Sequence, residues 1–151
     1  MNSSQGESLA GLTGKVKDFV KKKGATLVGA AATKRFSRAP KGYRPRDFLP
    51  NAKSVISIGL RINKSSILQL PKTMREYKIN YDVANQKLNS LAWETARFLE
   101  DFGYEALAIP ASSHDKKKNF GDMSHKHAAV AAGLGRFGSA ARAVCLSLRY
   151  S

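Results

Sequence analysis

At 151 residues, with 42% apolar side chains and a formal charge of +15, the chain is long enough for one folded domain and too apolar for wholesale disorder. No apolar run approaches the roughly 20 residues of a membrane span, and the polar stretch Met1 to Glu7 has no apolar segment behind it to form a signal peptide, so a cytoplasmic location is expected. The single cysteine, Cys145, excludes a disulfide framework and any cysteine-held cluster within the chain. Much of the charge sits at Lys15, Lys17, Lys21, Lys22 and Lys23, between Lys34 and Arg46, and at Lys116, Lys117 and Lys118. Such a surplus favours polyanions through counterion release and long-range steering. No aromatic-interleaved nucleic-acid motif accompanies it, so a basic solvated surface accounts for it equally well.

Residues 1 to 6 read as a flexible tail and 7 to 151 as a single α/β domain. Leu9, Leu12, Val16, Phe19 and Val20 recur at helical spacing, with Gly24 as the stop signal. Thr26 to Ala30 reads as a short apolar strand. Lys34 to Pro50 is expected to be loop, because Pro40, Gly42, Pro45 and Pro50 interrupt regular structure. Ser54 to Leu60 follows, nearly continuous in apolar residues and β-branched at Val55, Ile56 and Ile58, as suits a strand buried on both faces.

Thr73 to Phe102 is the longest periodic segment. Tyr77, Tyr81, Ala84, Leu88, Leu91, Thr95, Phe98 and Phe102 follow one helical face, widened by Ala92, Ala96 and Leu99. Asn85 falls off that stripe, and Trp93 is expected to pack at its edge. Gly103 ends the helix and Tyr104 to Ile109 reads as another strand. Strand, long helix, strand is an α/β crossover and points to an open, mostly parallel sheet.

Ala111 to Gly121 is polar and lysine-rich, hence surface loop. His125 to Ala132 then reads as a short helix capped by Ser124, with Gly133 as its left-handed stop, and with Gly135 and Gly138 leaving the backbone bare for close approach. As a pattern, Gly133-x-Gly135-x-x-Gly138 matches the dinucleotide fingerprint. That fingerprint needs a strand before the glycines and a helix after them. Here a helix precedes and a strand-like run, Arg142 to Leu148, follows, so the fingerprint is rejected. His114, His125 and His127 do not make a metal site: His125 and His127 are two apart on a helix and point apart, and no cysteine or carboxylate pair completes a tetrahedral set. Cys145 lies among apolar neighbours, where buried and inert is the default.

Lys126-His-Ala-Ala-Val-Ala-Ala-Gly-Leu-Gly-Arg-Phe-Gly138 resembles the AGLG segment of the epoxyqueuosine reductase and reductive dehalogenase-like family, which are corrinoid, iron–sulfur oxidoreductases. Gly42 to Gly59 is similar to the family's segment leading into a central strand. Glu76-Tyr77 through Tyr81-Asp82 to Gly103-Tyr104 is similar to its long helix and next strand. The resemblance runs from Ala25 to Gly138.

The resemblance implies a nitroreductase-like, corrinoid-binding α/β sheet with a long crossover helix, incomplete here. It implies the cobalamin-binding portion of an oxidoreductase, inactive alone. Two 4Fe-4S clusters would be held by a cysteine-rich segment absent from this chain, in a partner chain or a further C-terminal segment. It brings His125, Lys126, Gly133, Leu134, Gly135, Arg136 and Gly138 to the corrin. Asp122 is the nearest candidate for the family's proton-donating carboxylic acid, although an exposed loop residue is the alternative. Tyr77 matches a family tyrosine, although its place on the apolar stripe also suits a core role. Arg136-Phe-Gly-Ser-Ala140 departs from the tryptophan and Gly-Lys-Asn of epoxyqueuosine reductases proper. The expected partners are tRNA, the iron–sulfur segment, and a second copy docked on an open sheet edge formed by Arg142 to Leu148. Two other readings stay open: a basic RNA- or tRNA-binding module without catalysis, and a gene fragment with no function of its own.

Overall fold

The computed structural model describes residues 9–111, 124–135 and 144–150, with the backbone alone for 9, 10 and 144–150. In chain order the elements are α1 (Leu9–Lys22), β1 (Leu27–Ala32), α2 (Pro45–Phe48), β2 (Ser54–Leu60), α3 (Lys64–Leu68), α4 (Arg75–Asp101), β3 (Ala106–Ala108), α5 (His125–Ala131) and β4 (Val144–Tyr150). Left-handed glycines stop the two long helices where the sequence suggests, Gly24 at φ 107° and Gly103 at φ 84°.

The four strands form one sheet in the order β1-β2-β4-β3, and every pairing is antiparallel. This corrects the expectation of a mostly parallel sheet. β2 and β3 do run in the same direction, because each is antiparallel to β4, so α4 is a true crossover. The crossover spans an inserted strand rather than joining neighbours. β4 also corrects the expectation of an open edge at this run. It pairs along all of β2, from Ser54↔Tyr150 to Leu60↔Val144, and with β3 on its other side. Among the described residues the edges are instead β1 and the three-residue β3, and so short an edge leaves little backbone to template pairing.

Alternation along the strands divides the core in two. Val28, Ile56 and Ile58 face α1 and α4, where Leu12, Val16 and Val20 pack against Leu88, Leu91 and Leu99. Ala31 and Val55 face the other way, toward Phe36 and Ala128 of α5. β2 is thus buried on both faces, as its β-branched run suggests. Burying each of these large side chains contributes about 1.5–3 kcal/mol.

Three local expectations are corrected. Lys34 to Pro50 is not all loop: Thr33–Phe36 forms a 3₁₀ turn and Pro45–Phe48 is α2. Pro45 opens that helix at a position where its missing N–H has no role. Asn85 is buried, while Trp93 is 58% exposed with the Arg97 guanidinium 5.1 Å from its ring centre. Trp93 follows Ala92 in the chain but lies roughly 100° further round the helix, away from the sheet.

Candidate functional site

The site is built on α5. The Ser124 hydroxyl accepts the His127 backbone N–H at 3.4 Å, the expected cap, and also meets the His127 ring Nδ1 at 2.6 Å. Ala128 and Ala129 are buried against the sheet, and their small side chains let the helix sit close. At the far end Gly133 takes φ 76°, and the Leu134 N–H returns to the Ala129 carbonyl at 2.9 Å. This is the glycine stop read from the sequence.

What receives this turn is Gly29, in β1. A Cβ there would meet the Ala132 carbonyl oxygen at 2.7 Å, Leu134 Cδ2 at 2.9 Å and Ala132 Cβ at 3.0 Å. Only a bare backbone lets the Ala132–Leu134 turn seat on the sheet. Sequence reasoning passes over Gly29; its one signal is a glycine inside an apolar strand, which can mark close backbone approach. The segment before β2 holds the same turn from the side, where Arg35 Nη1 donates to the Ala131 carbonyl at 2.7 Å. A cation on the last carbonyls of a helix complements their partial negative charge.

Between the 35–43 segment and α5 lies a cavity of about 630 Å³. Phe36, Pro40 and Tyr43 line it from one side and Val130 and Ala131 from the other, with Arg35, Arg38, Ser124 and His127 as its polar lining. The wall is stitched in place. One oxygen of Asp47 accepts the N–H of Gly42 at 2.8 Å and of Arg44 at 2.9 Å, and Arg44 Nε donates to the Ala39 carbonyl at 2.8 Å. The Arg44 N–H is the largest influence on the Asp47 carboxyl. Partial desolvation opposes it, and the Gly42 N–H and the charges of Arg44 and Lys41 assist it, so the group is held below its ordinary value. The composition of 34–50 conceals this wall, because its prolines read as interruption.

The expected residues divide. His127 lines the cavity, whereas His125 turns its Nε2 to the Pro110 carbonyl at 2.8 Å, so the two rings diverge as a spacing of two requires. Lys126 is exposed at the start of α5. Gly133 and Gly135 are exposed, Leu134 is half-buried over Gly29, and no atom of the described residues lies within 4 Å of where a Gly135 Cβ would stand. Tyr77 stands in the first turn of α4, its ring 6.3 Å from that of Tyr81, and does not line the cavity. Asp122, Arg136, Gly138 and His114 lie outside the described residues. The Cys145 backbone pairs with Gly59. Among the described residues no three of His, Cys, Asp or Glu gather to hold a metal ion, and no helix is long and apolar enough to cross a membrane.

Fold and site together define a mixed α/β domain whose sheet carries a long helix on one face and, on the other, a small-residue helix ending in a glycine turn. Solved structures of epoxyqueuosine reductase share that fold. A selenomethionine-labelled epoxyqueuosine reductase matches with a TM-score of 0.55 at 16% identity. One with an epoxyqueuosine-modified tRNA-Tyr stem loop matches at 0.57 and 17%, and the Bacillus subtilis enzyme with its catalytic loop swung out of the active site at 0.58 and 17%. Each likeness covers 95% of this chain and 46% of the other, so the chain spans about half the length of these enzymes. No protein-family model and no curated protein matches the sequence.

Proposed function

We propose that this chain is the corrinoid-binding portion of an epoxyqueuosine reductase-like oxidoreductase, a single nitroreductase-like domain that presents the turn at Gly133 to Gly135 to cobalamin. One juxtaposition supports this most: a glycine turn seated on the bare backbone of Gly29, with no described residue crowding Gly135, in a fold shared with half of epoxyqueuosine reductase.

The residues present fit such a group. A corrin ring offers broad apolar faces and a rim of polar substituents. Phe36, Tyr43 and Val130 suit the faces, and Arg38 and His127 suit the rim, with the exposed Lys126 one residue before His127. When bound, the corrinoid supplies a redox-active cobalt that passes electrons to the substrate. The protein's part is to bind and orient. Gly135 keeps the approach clear, Ser124 fixes the His127 ring, and Asp47 holds the facing wall. Arg136 and Gly138 are proposed to contact the same group, and Asp122 to hold the substrate's proton. The 4Fe-4S clusters each need about four ligands, usually thiolates, and the chain has one cysteine. Electrons would therefore come from a segment or partner chain beyond these residues, and the chain alone is expected to bind without turnover.

The proposed substrate is tRNA, in the cytoplasm. A structure of similar fold is bound to a tRNA stem loop, and the charge of +15 suits a polyanion. That charge also favours a second reading, an RNA-binding module without catalysis. Titration with cobalamin, followed by visible absorbance, separates the two. A saturable spectral change supports the corrinoid reading. No change, alongside RNA binding that weakens steeply with salt, supports the second.

A further inference from the structure

Four arginines lie between Arg35 and Arg46, and three are committed. Arg35 donates to the Ala131 carbonyl at 2.7 Å, Arg44 to Ala39 at 2.8 Å and Arg46 to Ala52 at 3.3 Å. Arg38 makes no hydrogen bond or ion pair among the described residues, yet it lines the cavity beside α5. Its surroundings there are Phe36, Pro40, Tyr43 and Val130, and among the described residues none that lines the cavity is acidic.

An exposed arginine is ordinarily a solvated charge. This one differs in its setting. An apolar wall displaces water and strengthens the local field, and among the described lining residues no carboxylate cancels it. A guanidinium also offers a planar fork of donors that matches a carboxylate, sulfonate or phosphate. The loop that carries Arg38 is held by Asp47 and Arg44, so little ordering remains to oppose binding.

We propose that this cavity selects an apolar ligand, or the apolar part of a larger one, that carries an anionic group, and that Arg38 anchors the anion; this rests on the cavity being the ligand site of the reading above. The apolar body fills the space between Phe36, Tyr43 and Val130, and the anion meets the uncommitted guanidinium.

Two fluorescent probes test this directly. Anilinonaphthalene sulfonate and phenylnaphthylamine share one ring system and differ in the sulfonate. Each is titrated into the full chain at neutral pH. The parent is expected to bind the sulfonate roughly tenfold tighter than the neutral probe, as one charge-assisted bond implies. Arg38→Gln should bring the two affinities together without weakening the neutral probe. Arg38→Lys should keep part of the preference, and Arg97→Gln, on the opposite face of the sheet, should keep all of it. Equal affinities in the parent, an unchanged preference in Arg38→Gln, or no saturable binding of either probe would overturn the proposal. A parallel cobalamin titration keeps the two readings apart. A chain that refuses cobalamin but prefers the sulfonate through Arg38 refutes the corrinoid reading and upholds this one. A chain that binds cobalamin and shows no Arg38-dependent preference does the reverse.

Discussion

A Cβ placed on Gly29 would stand 2.7 Å from the carbonyl oxygen of Ala132, closer than real Cβ atoms approach. The strand glycine and the helix-terminal turn are therefore one structural unit. Gly29→Ala should force α5 outward and destabilise the fold by about 1–3 kcal/mol, as overpacking does. Thermal unfolding measures it. A midpoint equal to the parent's would show that the turn is loosely seated.

Leu88 is fully buried beneath α1, while Val83, on the same helix, is 59% exposed. Leu88→Ala should cost about 2–5 kcal/mol in urea unfolding, and Val83→Ala should stay within about 0.5 kcal/mol. Equal effects would contradict the packing of α4 described above.

Ser124→Ala removes the acceptor for the His127 N–H and the partner of the His127 ring. The expected loss is about 1 kcal/mol, the ordinary value of such a cap, with faster hydrogen exchange at the first turn of α5. Ser124→Asp should preserve the cap. Faster exchange in both variants alike would show that the hydroxyl does not hold the helix start.

Asp47 supplies a pH test. Its folded value lies below the ordinary 3.8, so its stabilising effect is present above 3.8 and is lost as pH falls through the lowered folded value. Exchange protection of the Gly42 and Arg44 amides should decline in that acid window. Asp47→Asn should remove the acid step and show weaker protection at neutral pH. An identical acid step in Asp47→Asn would assign it to another group.

The helices and the central strand were legible because burial writes a period into the sequence. The α4 stripe, the β-branched run of β2 and the Ser124 to Gly133 bounds of α5 all carry it. Strand direction was not legible. A long helix between two strands shows that they run alike, not that a later strand, Val144–Tyr150, slips between them. Half the site was hidden for a different reason. Gly29 contributes by lacking a side chain, and the cavity wall is positioned by the Asp47 and Arg44 hydrogen bonds, which leave no periodic trace. Proline content marked that wall as interruption, when Pro45 in fact begins a helix.

The most direct test of the corrinoid reading is cobalamin binding by Gly135→Val. Among the described residues the added side chain meets nothing within 4 Å at its Cβ, so the variant should unfold at the parent's temperature. If the ring approaches the backbone there, a branched side chain fills the gap. Cobalamin should then bind the parent saturably and the variant at least tenfold more weakly, a difference of about 1.4 kcal/mol or more. Equal affinity in a folded variant, or no binding by the parent, would contradict the account.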